Sequence, residues 1–152
     1  MHPESQLNVV PLNLATACAI IAVTFERRRA SGYQPFAVAV LDAGGHLIAV
    51  EREDGASYLR PTIAIGKASG ALAMGFGSRE LARRAERTPA FVQALTQMTG
   101  GGLVPVPGGV LVRAAADSPA IGAVGVSGDT SDHDEECAVH AIGSAGLTAD
   151  PG

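Results

Sequence analysis

Side chains that could carry chemistry cluster in two segments of the chain, 40–56 and 121–138, each joining a strand pattern to a glycine turn and charged residues. Between them, Lys67 lies in a sequence of small and apolar residues, which predicts a buried helix. A buried ammonium group needs a partner or loses its charge. Lys67 is therefore a candidate for holding a carboxylate or transferring a proton. The alternative is a structural ion pair with Asp54 or Glu135.

Arg52 ends a predicted strand and Asp54 follows it. Alternate residues of a strand share a face, so these two are expected to face a pocket while Glu51 and Glu53 face solvent. A guanidinium group binds a carboxylate at two points. Arg52 therefore predicts an anion site, unless it forms an internal clamp with Asp54 or Asp42 that closes the loop.

An acidic cluster opens the last predicted helix. Ser131 with Asp134, and Asp132 with Glu135, have the spacing of a capping box. Acidic residues in a first turn also suit the helix dipole, so capping accounts for most of this cluster. Asp134 and Glu135 are in addition candidates for moving protons.

One face of the same helix carries three possible metal ligands. His133, Cys137 and His140 lie three or four residues apart, so they share a helical face. Imidazole and thiolate are zinc ligands, which makes the trio a candidate metal site. The chain has no second ligand pair at a characteristic spacing, and the alternative is that Cys137 is a core residue.

The patterns around these segments predict an α/β fold with a single five-stranded antiparallel sheet and helices on both faces. Five helices are predicted over 14–30, 59–76, 78–85, 89–98 and 132–144, and five strands over 36–41, 46–52, 103–106, 109–113 and 120–127. Asn13 is predicted to cap the first helix. The length predicts one domain, 1–152, with loose tails at 1–11 and 147–152.

Composition limits the partners. The net charge of −4 argues against nucleic acid, which needs a basic surface. The apolar stretch 12–23 is too short to cross a membrane, and no basic segment of a secretory signal precedes it. We therefore expect a cytoplasmic protein with no membrane partner, and two buried free thiols at Cys18 and Cys137.

Five motifs in order resemble the GlcG/HbpS-like family, which also forms the C-terminal domain of PduO-type proteins. They are V-x-D-x-x-G at 40–45, R-x-D-G-A at 52–56, K-A at 67–68, G-A-x-G-V-S-G at 122–128 and D-E at 134–135. The resemblance spans nearly the whole chain and implies the same fold. Two departures are Glu53, where relatives carry an apolar residue, and GGLVPVPGG at 101–109, where relatives show G-G-x-P-I.

The resemblance implies haem or another tetrapyrrole as the ligand, for sensing, storage or degradation, and a homo-oligomer, dimer or higher. The candidate haem-binding side chains are His46, Tyr58, Lys67, Met74 and His140. The chain has no C-x-x-C-H sequence, so covalent haem attachment is excluded.

The second interpretation is a cofactor-independent enzyme, of lyase or isomerase type, acting on a small carboxylate or carbonyl metabolite in a catabolic pathway. Lys67 and Arg52 would hold or polarise the anion, and Asp54, Asp134 or Glu135 would move protons. The third interpretation is an accessory protein whose charges are structural and whose glycine-rich, apolar surface serves oligomer packing.

Overall fold

The computed structural model describes residues 12–152. Its helices are α1 (Leu14–Ser31), α2 (Arg60–Met74), α3 (Ser78–Arg87), α4 (Pro89–Met98) and α5 (Ser131–Ser144). Its strands are β1 (Ala37–Asp42), β2 (Leu47–Arg52), β3 (Gly109–Arg113), β4 (Ala120–Ser127) and β5 (Thr148–Asp150). Within these described residues, no helix is both long and apolar enough to span a bilayer.

The strands form one antiparallel sheet in the order β2-β1-β4-β3-β5. This confirms the predicted fold class. At one end of the sheet Ala37 pairs with both Arg52 and Ser127; we call this the lysine end, because Lys67 lies beneath it. At the other end Asp42 pairs with Gly122 beside the β1–β2 turn; we call this the hairpin end.

The two faces of the sheet carry different side chains because alternate residues of a strand point to opposite sides. One face presents valines, among them Val38 and Val124, to α1 and α5. The other face presents Ala39, Ala123 and other small residues to α2. The small residues let α2 lie close to the sheet, which brings Lys67 directly against the strands.

The strand predicted at 103–106 is wrong. Pro105 and Pro107 lack an N–H group, so this segment cannot complete a strand ladder. It lies instead across α2, where the N–H of Val104 donates to the carbonyl oxygen of Gly66 at 3.2 Å. The fifth strand is β5, which pairs with β3.

Residues 147–152, predicted as a loose tail, contain β5. Asp150 pairs with Leu111, and its carboxylate accepts from Arg113 at 2.9 Å. The sequence did not predict β5, because the strand is short and the Gly-Leu-Thr sequence that leads into it has no strand pattern. The other predicted tail, 1–11, lies outside the described residues.

The helix caps agree with prediction at α1 and differ at α5. Asn13 Oδ1 accepts from the N–H of Thr16 at 2.8 Å, as predicted. For α5 the cap is Thr130, whose hydroxyl accepts from the N–H of His133 at 3.2 Å. The predicted capping boxes at Ser131 and Asp132 are therefore wrong, since both residues already lie in the first turn.

Candidate functional site

Lys67 and Asp134 form a buried ion pair at the lysine end. Lys67 Nζ donates to Asp134 Oδ2 at 2.9 Å and to the Val126 carbonyl oxygen at 2.9 Å. The side chains are 2% and 1% exposed. The structural ion pair considered from the sequence is present, but its partner is Asp134 and not Asp54 or Glu135.

Asp134 also fixes the loop that precedes α5. Its second oxygen, Oδ1, accepts from the N–H of Asp129 at 2.9 Å. Burial raises the pKa of Asp134, and the charge of Lys67 and the backbone donors oppose that rise. Burial likewise lowers the pKa of Lys67, opposed by Asp134. Each charge is therefore held in the core by the other.

Arg52 and Asp54 do not join this pair. Arg52 is exposed and its Nη1 donates to the carbonyl oxygen of Ala56 at 3.2 Å, so neither predicted clamp, with Asp54 or Asp42, is what holds it. Asp54 is exposed, and it lies with Arg52 at a turn on the surface. Solvent there weakens any action of these two charges on Lys67.

Glu53 and Glu135 are bound to other arginines. Glu53, expected to face solvent, accepts from Arg28 at 2.6 Å and is 11% exposed, because the strand alternation ends at Arg52. Glu135 accepts from Arg79 Nε at 2.9 Å, and Arg79 also contacts Asp132. Arg79 was not predictable from sequence, since an arginine in the first turn of a polar helix has no distinguishing pattern.

The predicted metal trio does not form a metal site. His133 Nδ1 bonds to Asp129 at 2.6 Å, and its ring stacks on Tyr33 with centroids 3.9 Å apart. Cys137 is fully buried in the valine-lined core, and His140 is exposed. In the part of the chain that the structure describes, no group of three or more His, Cys, Asp or Glu side chains could hold a metal ion.

Asp129 anchors this region to the segment after α1. It accepts from the N–H of Gln34 at 2.8 Å, from that of Thr130 at 2.8 Å and from His133. The two backbone donors and His133 lower the pKa of Asp129 to about 2. His133 therefore has a structural partner, which explains why it does not turn toward Cys137.

The two cysteines differ in reactivity. Cys137 is buried, and burial, reinforced by Glu136, raises the pKa of its thiol to about 12. Cys18 is exposed on α1, so the prediction that both thiols are buried holds for Cys137 and is wrong for Cys18. The apolar pattern of α1 extends beyond the face that packs on the sheet, so the exposure of Cys18 could not be predicted from the sequence.

We expect one thiol per chain to react with a disulfide reagent in the folded protein at pH 8. The thiolate is the reactive form, and Cys137 is neutral at that pH and covered. Absorbance of the released product should give one equivalent for the native protein and two in denaturant. Cys18→Ser should remove the native reaction; fast labelling of native Cys18→Ser would contradict the burial of Cys137.

A cleft of about 420 Å³ lies at the hairpin end, at the opposite end of the sheet from Lys67. Its walls are largely apolar and include Leu12, Pro119 and Ile121, with Asp42 and His46 at the rim. Volumes of this size are typical of small-molecule sites. The cleft thus combines apolar walls with one imidazole.

His46 is oriented by Asp42. Asp42 Oδ1 accepts from the N–H groups of Gly44 and His46, each at 2.9 Å, and lies 3.1 Å from His46 Nδ1. The backbone donor of His46 is the main cause that lowers the pKa of Asp42. The ionised Asp42 can only accept, so in the neutral imidazole Nδ1 is the nitrogen that carries the proton and Nε2 is the one with the free lone pair.

The other candidate haem ligands lie elsewhere. Tyr58 is 85% exposed in the loop before α2, and Lys67 is occupied by Asp134. Met74 packs against the cluster of Leu81, Val92 and Leu103. His140 is exposed on α5. Of the five, His46 is the side chain that lines the apolar cleft.

Comparison with known proteins agrees with this fold. A family model described as haem degrading protein, HbpS-like, matches residues 12–143. The chain is 25% identical to the protein in a structure of a PduOC:haem complex, with a TM-score of 0.80 over 91% of this chain and 97% of that one. No curated protein sequence matches the chain significantly.

Two further solved structures share the architecture. A double mutant of Streptomyces reticuli HbpS is 27% identical, with a TM-score of 0.72 over 95% of this chain and 92% of that one. The ORFY protein of Klebsiella pneumoniae is 24% identical, with a TM-score of 0.78 over 95% of this chain and 98% of that one. The latter likeness concerns the fold alone.

Proposed function

This chain belongs to the haem degrading protein HbpS-like family, and on that premise we propose that it binds haem in the cleft at the hairpin end. The observation that carries the proposal is His46 at the rim of an apolar cleft of about 420 Å³. An imidazole nitrogen is a common axial ligand of haem iron. Support at the family level comes from the similar protein in the PduOC:haem complex.

The residues present fit a haem group. His46 Nδ1 is bonded to Asp42 at 3.1 Å, so Nε2 is the nitrogen that would hold the iron. A ligating histidine that donates its other N–H to a carboxylate has a fixed tautomer and higher basicity. Bound haem would supply redox and oxygen chemistry. The chain's own contribution would be to orient His46 and to supply the apolar walls of the cleft.

We expect haemin titration of the purified protein to give a saturable shift of the Soret band, and His46→Ala to remove it. The reason is loss of the axial nitrogen. Asp42→Asn should still bind haemin, but about tenfold more weakly, because the histidine loses its orienting carboxylate. Absorbance spectra at increasing haemin give all three results.

His140→Ala is the matched control, since His140 is an exposed histidine of α5 away from the cleft. It should bind haemin like the wild type. An unchanged spectrum in His46→Ala would overturn the assignment of His46, and loss of the shift in His140→Ala would move the ligand to α5.

Sensing, storage and degradation, the three uses proposed from the family, differ in the fate of the ring. Storage returns haem unchanged, whereas degradation consumes it when oxygen and a reductant are supplied. Decay of the Soret band under ascorbate and air, measured against free haemin, would support degradation. The proposal also includes a homo-oligomer, dimer or higher, in the cytoplasm. Tyr58, Phe91 and Met98 are exposed apolar side chains that a second copy could cover.

The enzyme interpretation is less well supported by the geometry. It needs Lys67, Arg52 and an acid on one substrate. Lys67 and Asp134 are instead paired in the core, Glu135 is paired with Arg79, and Arg52 is at the surface. We therefore treat the Lys67–Asp134 pair as structural.

A further inference from the structure

Arg60 is an unusual arginine in this chain. Among the residues that the structure describes, all arginines except Arg52 and Arg60 lie within 4.0 Å of a carboxylate oxygen. Arg52 is exposed to solvent, which satisfies its charge. Arg60 is half-buried, and its Nη1 donates to Ser127 Oγ, a neutral group, at 3.1 Å. A half-buried guanidinium group without an anion is poorly compensated.

A second cleft, at the lysine end, contains this guanidinium. Its volume is about 240 Å³, and its other walls are Gln34, Pro35, the turn 55–57 and Gly128. Two carboxylates of the neighbouring loop and helix are committed elsewhere: Asp129 accepts from the Gln34 N–H at 2.8 Å, and Asp134 accepts from Lys67. Of the residues that line the cleft, Arg60 is the charged one.

The electrostatic surroundings of this cleft favour an anion. Arg60 is the first residue of α2, a helix of 15 residues whose N-cap supplies no side-chain acceptor, so the positive end of the helix dipole points here. Burial lowers the pKa of the Lys67 ammonium most, and the nearby charge of Arg60 lowers it further. An anion beside Arg60 would reduce that repulsion.

We propose that Arg60 and this cleft bind the carboxylate group of a small organic acid. One guanidinium group matches a single negative charge in two-point fashion, which favours a monocarboxylate over a dianionic phosphate. The cleft is smaller than ordinary sites for drug-sized ligands, so the acid has only a few carbon atoms. The proposal does not rest on haem binding at the hairpin end.

A propionate arm of haem carries the same chemistry, but it cannot come from haem bound at His46. The two clefts lie at opposite ends of β1, a strand of six residues, and are about 20 Å apart along it. The free acid is therefore the source that the structure favours, and the experiment separates the two.

Calorimetric titration of the full chain with sodium lactate tests this proposal. We expect saturable binding in about the millimolar range, as one charged contact provides, and none with the neutral analogue lactamide. Arg60→Gln should weaken binding at least about tenfold. Arg83→Gln is the matched control, because Arg83 lies on α3 outside the cleft and pairs with Glu80, and it should bind within about twofold of wild type.

If circular dichroism shows that Arg60→Gln does not fold, Arg60→Lys is measured in its place. It keeps the charge but loses the two-point geometry, so it should bind more weakly than wild type. Absence of saturable lactate heat, equal binding of lactamide, or equal losses in Arg83→Gln and the Arg60 variants would overturn the proposal. If preloaded haemin blocks lactate while haemin dimethyl ester does not, the occupant is a haem propionate and the free-acid assignment is wrong.

Discussion

Lys67→Met is expected to lower the free energy of unfolding by about 3–5 kcal/mol, because it leaves a buried carboxylate without its partner. Asp134 is 1% exposed and loses a 2.9 Å contact to Lys67 Nζ. The loop held by its other oxygen, at the N–H of Asp129, would loosen as well. Denaturant unfolding followed by circular dichroism measures the loss.

Two further variants separate the buried charge from general effects of substitution. Arg83→Met removes an exposed ion pair of 3.0 Å to Glu80 and should cost less than about 1 kcal/mol. The double variant Lys67→Met/Asp134→Asn should recover most of the loss, because no buried charge remains. Wild-type stability of Lys67→Met would contradict the structural pair and return Lys67 to the candidates for function.

The stability that Lys67→Met loses should depend on pH. Burial raises the pKa of Asp134 above its ordinary value of 3.8, and removal of Lys67 takes away a cause that opposes this rise. The unfolded chain then ionises first as the pH rises, so the variant is most stable in acid and loses stability as the pH increases from about 4. An amide at this position cannot titrate, so Lys67→Met/Asp134→Asn should not show this slope.

Gly125→Ala is expected to cost about 3 kcal/mol or more, because backbone cannot swing aside as a flexible side chain can. A Cβ at this position of β4 would overlap the carbonyl oxygen of Ala64 in α2 and lie 3.1 Å from the Cβ of Ala68. To make room, α2 would have to move off the sheet. Thermal unfolding should show a clearly lower midpoint.

Gly143→Ala is the control for the same chemical change. Gly143 lies in α5 with nothing within 4 Å of an added Cβ. Alanine there should be neutral or stabilising by about 0.5–1 kcal/mol, since it restricts the unfolded chain. A Gly125→Ala protein as stable as Gly143→Ala would mean that α2 does not lie against β4 at this distance.

Sequence patterns predicted the sheet because the core signals are local. Alternating valines and small residues mark the two faces of β1 and β4, and the small residues of α2 predicted that Lys67 is buried. The partner of Lys67 was not predictable in the same way. It depends on where α5 enters, and Asp134 and Glu135 differ by one residue in sequence but point to Lys67 and Arg79 respectively.

The wrong site predictions share a physical cause. Spacing on a helix places His133, Cys137 and His140 on one face, but it does not tell how deep each side chain lies. Cys137 faces the core, while His133 is drawn to Asp129 at the start of the helix. No sequence pattern pointed to Arg60 as a binding residue. Its role depends on which arginines pair with carboxylates in the folded protein, and that is set by the fold.

Haem binding at the hairpin end, beside His46, is open to a direct test. Hydrogen–deuterium exchange of the full chain, with and without saturating haemin, tests it at the level of peptides. Haem in this cleft should slow exchange in peptides covering 41–48 and 119–122, with little change in those covering 34–36 and 55–60. Protection confined to the lysine end, with the 41–48 peptides unchanged, would contradict it.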